Sequence, residues 1–416
     1  MVAMERRTVA VMFTASAVSV ANIYYCQPLL SEIGRSLSVS DRAIGYLPMW
    51  TQAGTALGMF AVVPLGDLLP RRSLIVVMCA VSAVMVALMA MAPNLALANA
   101  AGFAVGLTSI VAHLVLPFAA KLAPPHRRGH VVGTVLSGLL LGILLGRMVS
   151  GFVGDALGWR AMYWMASGAM LTLTILVRYA LPYDRPEHPL RYRELLGSIA
   201  HLALTQPVLR EAAIIGGMLF GAFSSFWATL AFFLATPPYH YGPRIAGMFG
   251  LVGALGVLFA PWAGRLTDRR GAAFTVALSI LTAVASYGLL YAAGHGIAGL
   301  VAGVILLDLG VQAGHVANQT RIYALVPEAR SRLNTVYMVT YFLGGALGSA
   351  LGAYGWSRWG WSGVCMAGTM QLLVALAVRT WMHVSRPNDS TVSDRRRTTS
   401  HRLQVAPADP APKTPE

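Results

Sequence analysis

Apolar residues run almost without interruption along most of this chain, broken at intervals by short polar stretches. A helix needs roughly 20 apolar residues to cross a bilayer. Twelve stretches qualify: 8–30, 43–65, 74–92, 95–120, 131–154 and 160–181, then 209–235, 243–263, 272–293, 297–323, 332–356 and 360–383. They are continuously apolar rather than alternating, so the pattern is not that of an outer-membrane barrel. The predicted fold class is an all-α polytopic membrane protein with twelve transmembrane helices. Residues 182–208 form the one long internal connection and read as a cytoplasmic linker. Residues 384–416, rich in Ser, Thr, Pro and charge, read as a disordered tail. The domains are therefore 1–181, 182–208, 209–383 and 384–416.

Composition adds the reason. Of 416 residues, 56% are hydrophobic and 11% charged, against roughly 25% charged in a soluble domain. The net charge is nevertheless +15. A nucleic-acid binder sets its basic face among many other polar groups, so nucleic acid is not an expected partner, and the lipid bilayer is. With both termini placed inside, 25 Lys and Arg fall on the cytoplasmic side and five (Arg35, Arg42, Arg160, Arg244 and Arg358) on the other. That asymmetry sets the orientation. Arg6 and Arg7 before an apolar run resemble a signal peptide, but the run ends in Asn22-Ile23-Tyr24-Tyr25-Cys26-Gln27-Pro28 rather than a small-residue cleavage site, and reads as an uncleaved span. Cys26, Cys79 and Cys365 are scattered through apolar segments, a pattern of packing rather than of disulfides or metal binding.

A shift of 202 residues superimposes the two halves of the sequence. His113 falls on His315, Pro125 on Pro327, Arg128 on Arg330, Gly142 on Gly344, Gly146 on Gly348, Gly158 on Gly360 and Trp159 on Trp361. Six spans per copy is an even number, so the copies share one orientation. The fold expected is two pseudo-symmetric six-helix halves, with a substrate site between them near mid-membrane.

The loops after spans two and eight carry a second repeat: Gly66-Asp67-Leu68-Leu69-Pro70-Arg71-Arg72 and Gly264-Arg265-Leu266-Thr267-Asp268-Arg269-Arg270-Gly271. These resemble the cytoplasmic loop motif of the major facilitator superfamily, in which Gly, three residues, Asp-Arg, one residue and Gly precede a basic pair. The second copy has Ala272-Ala273 where that pair belongs. The first has Val63, Leu68 and Pro70 at the leading Gly, first Arg and second Gly positions. The resemblance covers residues 8–383. It implies a secondary transporter working by alternating access, with spans one, four, seven and ten lining the cavity. The wording Asn22-Ile23-Tyr24-Tyr25 with Gln27-Pro28-Leu29-Leu30 is similar to bacterial sugar-efflux and multidrug-efflux permeases, which implies proton-coupled export of a small organic solute across the bacterial inner membrane by a monomer. Proton-coupled uptake is the alternative. In physical terms, an Asp at one helix end and an Arg a turn away can latch two termini near the bilayer surface. Asp67, Arg71, Arg72, Gly264, Asp268, Arg269 and Gly271 are the gating-loop residues on this reading; simple topology signals are the alternative.

In span five, Gly138, Gly142 and Gly146 lie four apart on one face and allow close helix approach. The family's antiporter motif in this span has a Pro and a second Gly where this chain has Ile143 and Arg147.

Ionisable residues within a span are costly and therefore informative. Asp308 reads as the only carboxylate placed well within a span, Arg147 as the only such guanidinium, and His113 and His315 as the buried imidazoles. Asp308, Gln312, His315 and Gln319 fall within a stripe of about 60° on span ten. Asp308 is the leading proton-coupling candidate and His315 the second; the alternative is a structural hydrogen bond or an ion pair with Arg147. Arg147 neutralises Asp308, binds an anionic substrate group, or has a packing or lipid-facing structural role. Ser19, Asn22, Tyr25 and Cys26 share one face of span one, with Tyr24 and Gln27 on another; Ser224 and Trp227 belong to span seven. The same 202 shift pairs Tyr24 and Tyr25 with Phe226 and Trp227. Asn22, Tyr25, Gln27, His113, Arg147, Trp227, Gln312 and Gln319 are the candidate substrate-binding residues.

No HExxH, GxSxG, Walker loop or CxxC occurs, so an enzyme is not expected, and neither is a cofactor or metal. A metal held by His113, His315 and Asp308 would lack any ligand spacing. A non-transporting sensor is the remaining alternative.

Overall fold

The computed structural model describes residues 6–184, 192–258, 260–326 and 329–384. The tail from 385 onward, with Arg395-Arg396-Arg397, and Pro327 of the repeat lie outside the described residues. In chain order the helices are α1 (Arg6–Tyr24), α2 (Cys26–Ser36), α3 (Asp41–Ile44), α4 (Leu47–Ala61), α5 (Arg71–Ala90), α6 (Leu95–Thr108), α7 (Val111–Leu122), α8 (Arg128–Leu157) and α9 (Trp159–Ala180). They continue as α10 (Tyr192–Thr205), α11 (Pro207–Trp227), α12 (Leu230–Ala235), α13 (Pro243–Leu258), α14 (Ala260–Arg270), α15 (Ala272–Ala293), α16 (Ile297–Tyr323) and α17 (Arg330–Val384). Spans one, four, seven and eight are each made of two of these helices, and α17 supplies spans eleven and twelve, so the chain makes the twelve passes its apolar pattern predicts. Leu171 and Ile175 of α9 and Leu281 of α15 are exposed apolar side chains, a surface suited to lipid rather than water.

The breaks inside spans have local causes. α1 and α2 meet at a 40° bend. Pro28 has no N–H for the Tyr24 carbonyl four residues before it, which frees the chain to bend there. Pro117 in α7 does the same to the carbonyl of His113. In span seven the hydroxyls of Ser225 and Thr229 donate back to the carbonyls of Gly221 (3.1 Å) and Ser225 (2.7 Å), a pattern that bends helices, and α11 ends at Trp227. Gly158 and Gly360, equated by the repeat, both adopt positive φ (86° and 59°) where spans five and eleven turn back into spans six and twelve. A side chain is strained in that conformation.

The linker differs from the loop expected over 182–208. It contains α10, which buries Leu195, Ile199 and Leu202, one stripe at helical spacing. α10 packs on α11 and α17 and on the turn after α4, so it touches both halves. Tyr192 donates its hydroxyl to the Ala61 carbonyl (2.8 Å). Its Pro and Arg content pointed to a loop, while the apolar spacing of 192–205 is what folds.

Glycines set the helix contacts within each half. A Cβ on Gly142 would run into the Ala17 carbonyl of α1, and one on Gly344 into the Gly217 carbonyl of α11. Spans one and five, and their counterparts seven and eleven, thus meet backbone to backbone.

The halves meet along α8 with α13 and α4 with α17. At the end away from the termini, Trp356 Nε1 donates to Asp41 Oδ2 (3.1 Å). There too the Arg42 guanidinium lies over Tyr354 (5.1 Å to the ring centre) and that of Arg244 over Phe152 (4.8 Å). At mid-depth, Gln52 Nε2 donates to Ser224 Oγ (3.2 Å).

Candidate functional site

The site forms where α2, α8, α11, α13 and α16 converge. Arg147 of α8 is 2% exposed. Its Nε donates to Gln27 Oε1 (2.7 Å). Its guanidinium lies over the rings of Trp227 (4.2 Å), Tyr24 (4.6 Å) and Phe223 (5.6 Å). Burying a guanidinium costs several kcal/mol. A charge-assisted hydrogen bond and desolvated cation–π contacts of ~2 kcal/mol or more offset that cost. Nη2 is left without a partner.

Asp308 of α16 is 5% exposed, and its Oδ2 also lacks a partner. α13 brings the two charges to one face. A Cβ on Gly250 would sit 3.1 Å from Arg147 Cβ. One on Gly253 would sit 3.2 Å from Trp227 Cζ2 and 3.3 Å from Asp308 Oδ1. Three residues are about 4.5 Å along a helix, so Arg147 and Asp308 face neighbouring turns of α13 with Trp227 beside them. They do not form an ion pair: none of the pairs within 4.0 Å among the described residues joins them. Arg147 and Asp308 therefore share the seam without direct contact, and the hydrogen-bond acceptor of Arg147 is Gln27. The indole N–H of Trp227 is a third unpartnered buried group. A void of about 10 Å³ beside Gln27, Arg147, Trp227 and Ala246 has room for about one water.

From Asp308 the polar stripe of α16 runs toward the termini. Gln312, His315 and Gln319 are half-buried. His315 Nδ1 lies 3.1 Å from the Tyr337 hydroxyl, and its ring packs on Tyr341. Gln319 Nε2 donates to Asn334 Oδ1 at 3.5 Å. His113 meets Phe342 edge-on across the halves, 6.3 Å between ring centres. Tyr341 and Phe342 pack on one another, so the two repeat-related histidines border one aromatic cluster.

Not every predicted residue reaches the site. Gln27, Arg147, Trp227 and Asp308 are brought together; Asn22 and Tyr25 are not. Asn22 Nδ2 donates to Ser82 Oγ (3.4 Å) of α5, and Ser19, on the same face, donates to the Ser109 carbonyl. That face turns into the first half. Tyr24, one position earlier and 100° around the helix, is the residue that meets Arg147. Tyr25 is buried at the bend, where its carbonyl accepts from Ser150 Oγ (2.6 Å).

The loop repeats differ in pairing. Asp67 Oδ1 accepts from Arg71 Nη2 (2.9 Å), and Arg71 also donates to the carbonyls of Gly66 (3.0 Å) and Pro117 (3.4 Å). That ties the end of span two to the start of span three and to span four. Arg72 donates to the Arg178 carbonyl. Asp268 enters no ion pair among the described residues. Asp268 and Arg269 are exposed, and Gly271 takes φ 85° between α14 and α15. A Cβ on Gly264 would meet nothing within 4 Å.

Two buried residues carried no signal strong enough to single out. Gln52 has an unpartnered Oε1 beside its bond to Ser224. Glu211 is a second buried carboxylate in a span, near the span's end rather than well within it as Asp308 is. It is 1% exposed in α11 and bonds Arg321 Nη2 (2.6 Å) and Arg379 Nη1 (3.1 Å). Its place as the third residue of the predicted span 209–235 made it look like a boundary residue. Among the described residues, no cluster of three or more His, Cys, Asp or Glu could hold a metal.

Two six-helix halves that meet around buried polar groups are an architecture of membrane transporters, and likeness to known proteins places the chain in that class. The sequence model of the Major Facilitator Superfamily matches residues 12–293 and 240–414. A putative uncharacterized transporter of Escherichia coli K12, YgaY, is 40% identical over 370 residues, covering 89% of this chain and 94% of its own. A chloramphenicol efflux pump of Mycobacterium tuberculosis, MT0201, is 26% identical over 267 residues, covering 62% and 63%. The structure of the human organic anion transporter MFSD10 superimposes with TM-score 0.67 at 18% identity, over 90% of this chain and 99% of that one. The chain belongs to the major facilitator superfamily of membrane transporters.

Proposed function

We propose that the chain is a secondary active exporter that moves a small organic solute by alternating access, driven by protons through Asp308. One observation carries the reading: Arg147 and Asp308 are buried opposite charges at the seam of the halves, unpaired with each other and each with a spare polar atom. With Asp308 ionised the seam is neutral overall. With Asp308 protonated it holds a net positive charge, which a dry interface tolerates poorly. Closing the halves over the site therefore discriminates between protonation states, and that discrimination is the coupling. His315, on the same stripe and bonded to the Tyr337 hydroxyl, passes protons between Asp308 and the open side.

The 25-to-5 split of basic residues supports an orientation with both termini in the cytoplasm, and the bacterial relatives support the inner membrane as its place. On that orientation, the Asp41–Trp356 and Arg42–Tyr354 contacts close the outer side, and Asp67 with Arg71 belongs to the cytoplasmic latch. One chain holds both halves, so a monomer suffices. Export is favoured by the relative named as an efflux pump, and chloramphenicol is accordingly the first solute to try.

The test is chloramphenicol flux in liposomes holding the purified protein, at a series of imposed pH gradients. Wild type should drive accumulation in proportion to the gradient. Asp308→Asn should keep exchange down a concentration gradient and lose the response to pH. An unaltered response in Asp308→Asn rules out coupling at this residue.

A further inference from the structure

The unspent groups at the seam also restrict the solute. The inference rests on the transporter reading and goes beyond it in naming the class of molecule carried. We propose that the solute is a zwitterion of α-amino-acid type, its carboxylate taken by Arg147, its ammonium by Asp308, and its apolar side chain by the rings of Trp227 and Phe223.

The geometry has three parts. First, the free atoms are of opposite kind: Arg147 Nη2 is a spare donor and Asp308 Oδ2 a spare acceptor, on residues 2% and 5% exposed. A buried charged group left unsatisfied is costly, so the site is incomplete without a molecule that meets both. Second, both side chains pack against one glycine face of α13, the Arg147 stem at Gly250 and the Asp308 carboxylate at Gly253, yet their charged ends are more than 4.0 Å apart and make no ion pair with each other. An α-amino acid carries its two charges on either side of one carbon and fits such a gap. Third, the wall between them is aromatic. Trp227 touches both the Arg147 guanidinium and the Gly253 turn, and Phe223 and Trp227 pack on one another at 5.8 Å between ring centres.

Charge balance separates this class from its neighbours. With Asp308 ionised, as binding an ammonium requires, a monoanion would bring the seam to a net negative charge beside Asp308. A monocation would do the opposite beside Arg147. A neutral solute would leave Nη2 and Oδ2 unmet. A zwitterion alone satisfies both groups and keeps the buried seam neutral. The void beside Arg147 has room for about one water, so binding the solute requires the side chains around it to part.

The test uses the full-length protein in detergent and binding of L-phenylalanine and L-leucine. Each is compared with its amine analogue (phenethylamine, isopentylamine) and its acid analogue (3-phenylpropionate, 4-methylpentanoate). Losing one charge-assisted contact should weaken binding roughly 10- to 100-fold, so each amino acid should bind at least about tenfold more tightly than both of its analogues. Arg147→Gln should erase the preference over the amine and keep that over the acid; Asp308→Asn should do the reverse. The wild-type series stands even if a variant fails to fold. An amine or acid that binds as well as the amino acid overturns the proposal, as does no binding of either amino acid at millimolar concentration. If chloramphenicol counterflow in liposomes persists in that case, only the zwitterion is lost. If neither chloramphenicol nor either amino acid exchanges, the transporter reading falls with it.

Discussion

Replacing Glu211 with Gln isolates one strong contact from the transport chemistry. Glu211 of α11 joins Arg321 of α16 and Arg379 of α17, so one fully buried carboxylate pins spans seven, ten and twelve at the end that carries the termini. Removing one partner of a buried ion pair costs about 3–5 kcal/mol, because the remaining charge is left without compensation. Here two guanidiniums would face each other. Their side chains keep 10% and 15% exposure, and long basic side chains can turn their heads toward water, which favours the lower figure of ~3 kcal/mol. For a folding unit of 150–250 residues, about the size of one half, that corresponds to a fall in Tm of roughly 6–12 °C. The assay is thermal unfolding in a mild detergent of Glu211→Gln, Arg321→Gln and the double variant. Residues in one ion network are non-additive by about 0.5–3 kcal/mol, so the double variant should be clearly more stable than the summed effects imply. A fall of under ~2 °C for Glu211→Gln, or strict additivity in the cycle, would refute the reasoning.

Other expectations follow from single contacts. Asp67→Asn should cut transport while leaving membrane insertion intact, and Asp268→Asn should cut it less, since only Asp67 is paired; flux normalised to inserted protein decides, and no loss in either variant removes the latch. Gly142→Val puts a branched side chain against the Ala17 carbonyl and should destabilise by about 1–3 kcal/mol, read as a drop in Tm; an unchanged Tm would mean that α1 and α8 are not in backbone contact. Trp356→Phe keeps the ring and removes the donor to Asp41. A cysteine placed at Ala246, beside Arg147, should then label faster with a thiol reagent added from the side away from the termini, and an unchanged rate would show that this bond does not close that side.

The apolar spans, the uneven spread of basic residues and the repeat of the halves were legible because each is a property of the chain alone. Span length and continuous apolarity follow from the thickness and dryness of the bilayer, and a repeat is visible wherever its residues recur. The repeat even marked Gly158 and Gly360, whose positive φ values turn the chain between spans. Composition also identified Arg147 and Asp308, because ionisable groups are rare inside a membrane. Helical periodicity placed Tyr24 and Gln27 on one face of span one and Asn22 with Tyr25 on another, without saying which face the site would take.

That choice belonged to the tertiary structure. The bend at Tyr25 and the glycine contact of α1 with α8 direct Tyr24 and Gln27 toward Arg147 and turn Asn22 into the first half. The hydrogen-bond partners of Arg147 and Glu211 lie more than 100 residues away in sequence, and Asp308 is brought beside Trp227 by a glycine face of α13. Sequence by itself determined which residues are costly to bury, because that cost depends on side-chain chemistry. Which of those costs are offset and which are left open depends on distances between helices, and packing alone sets those.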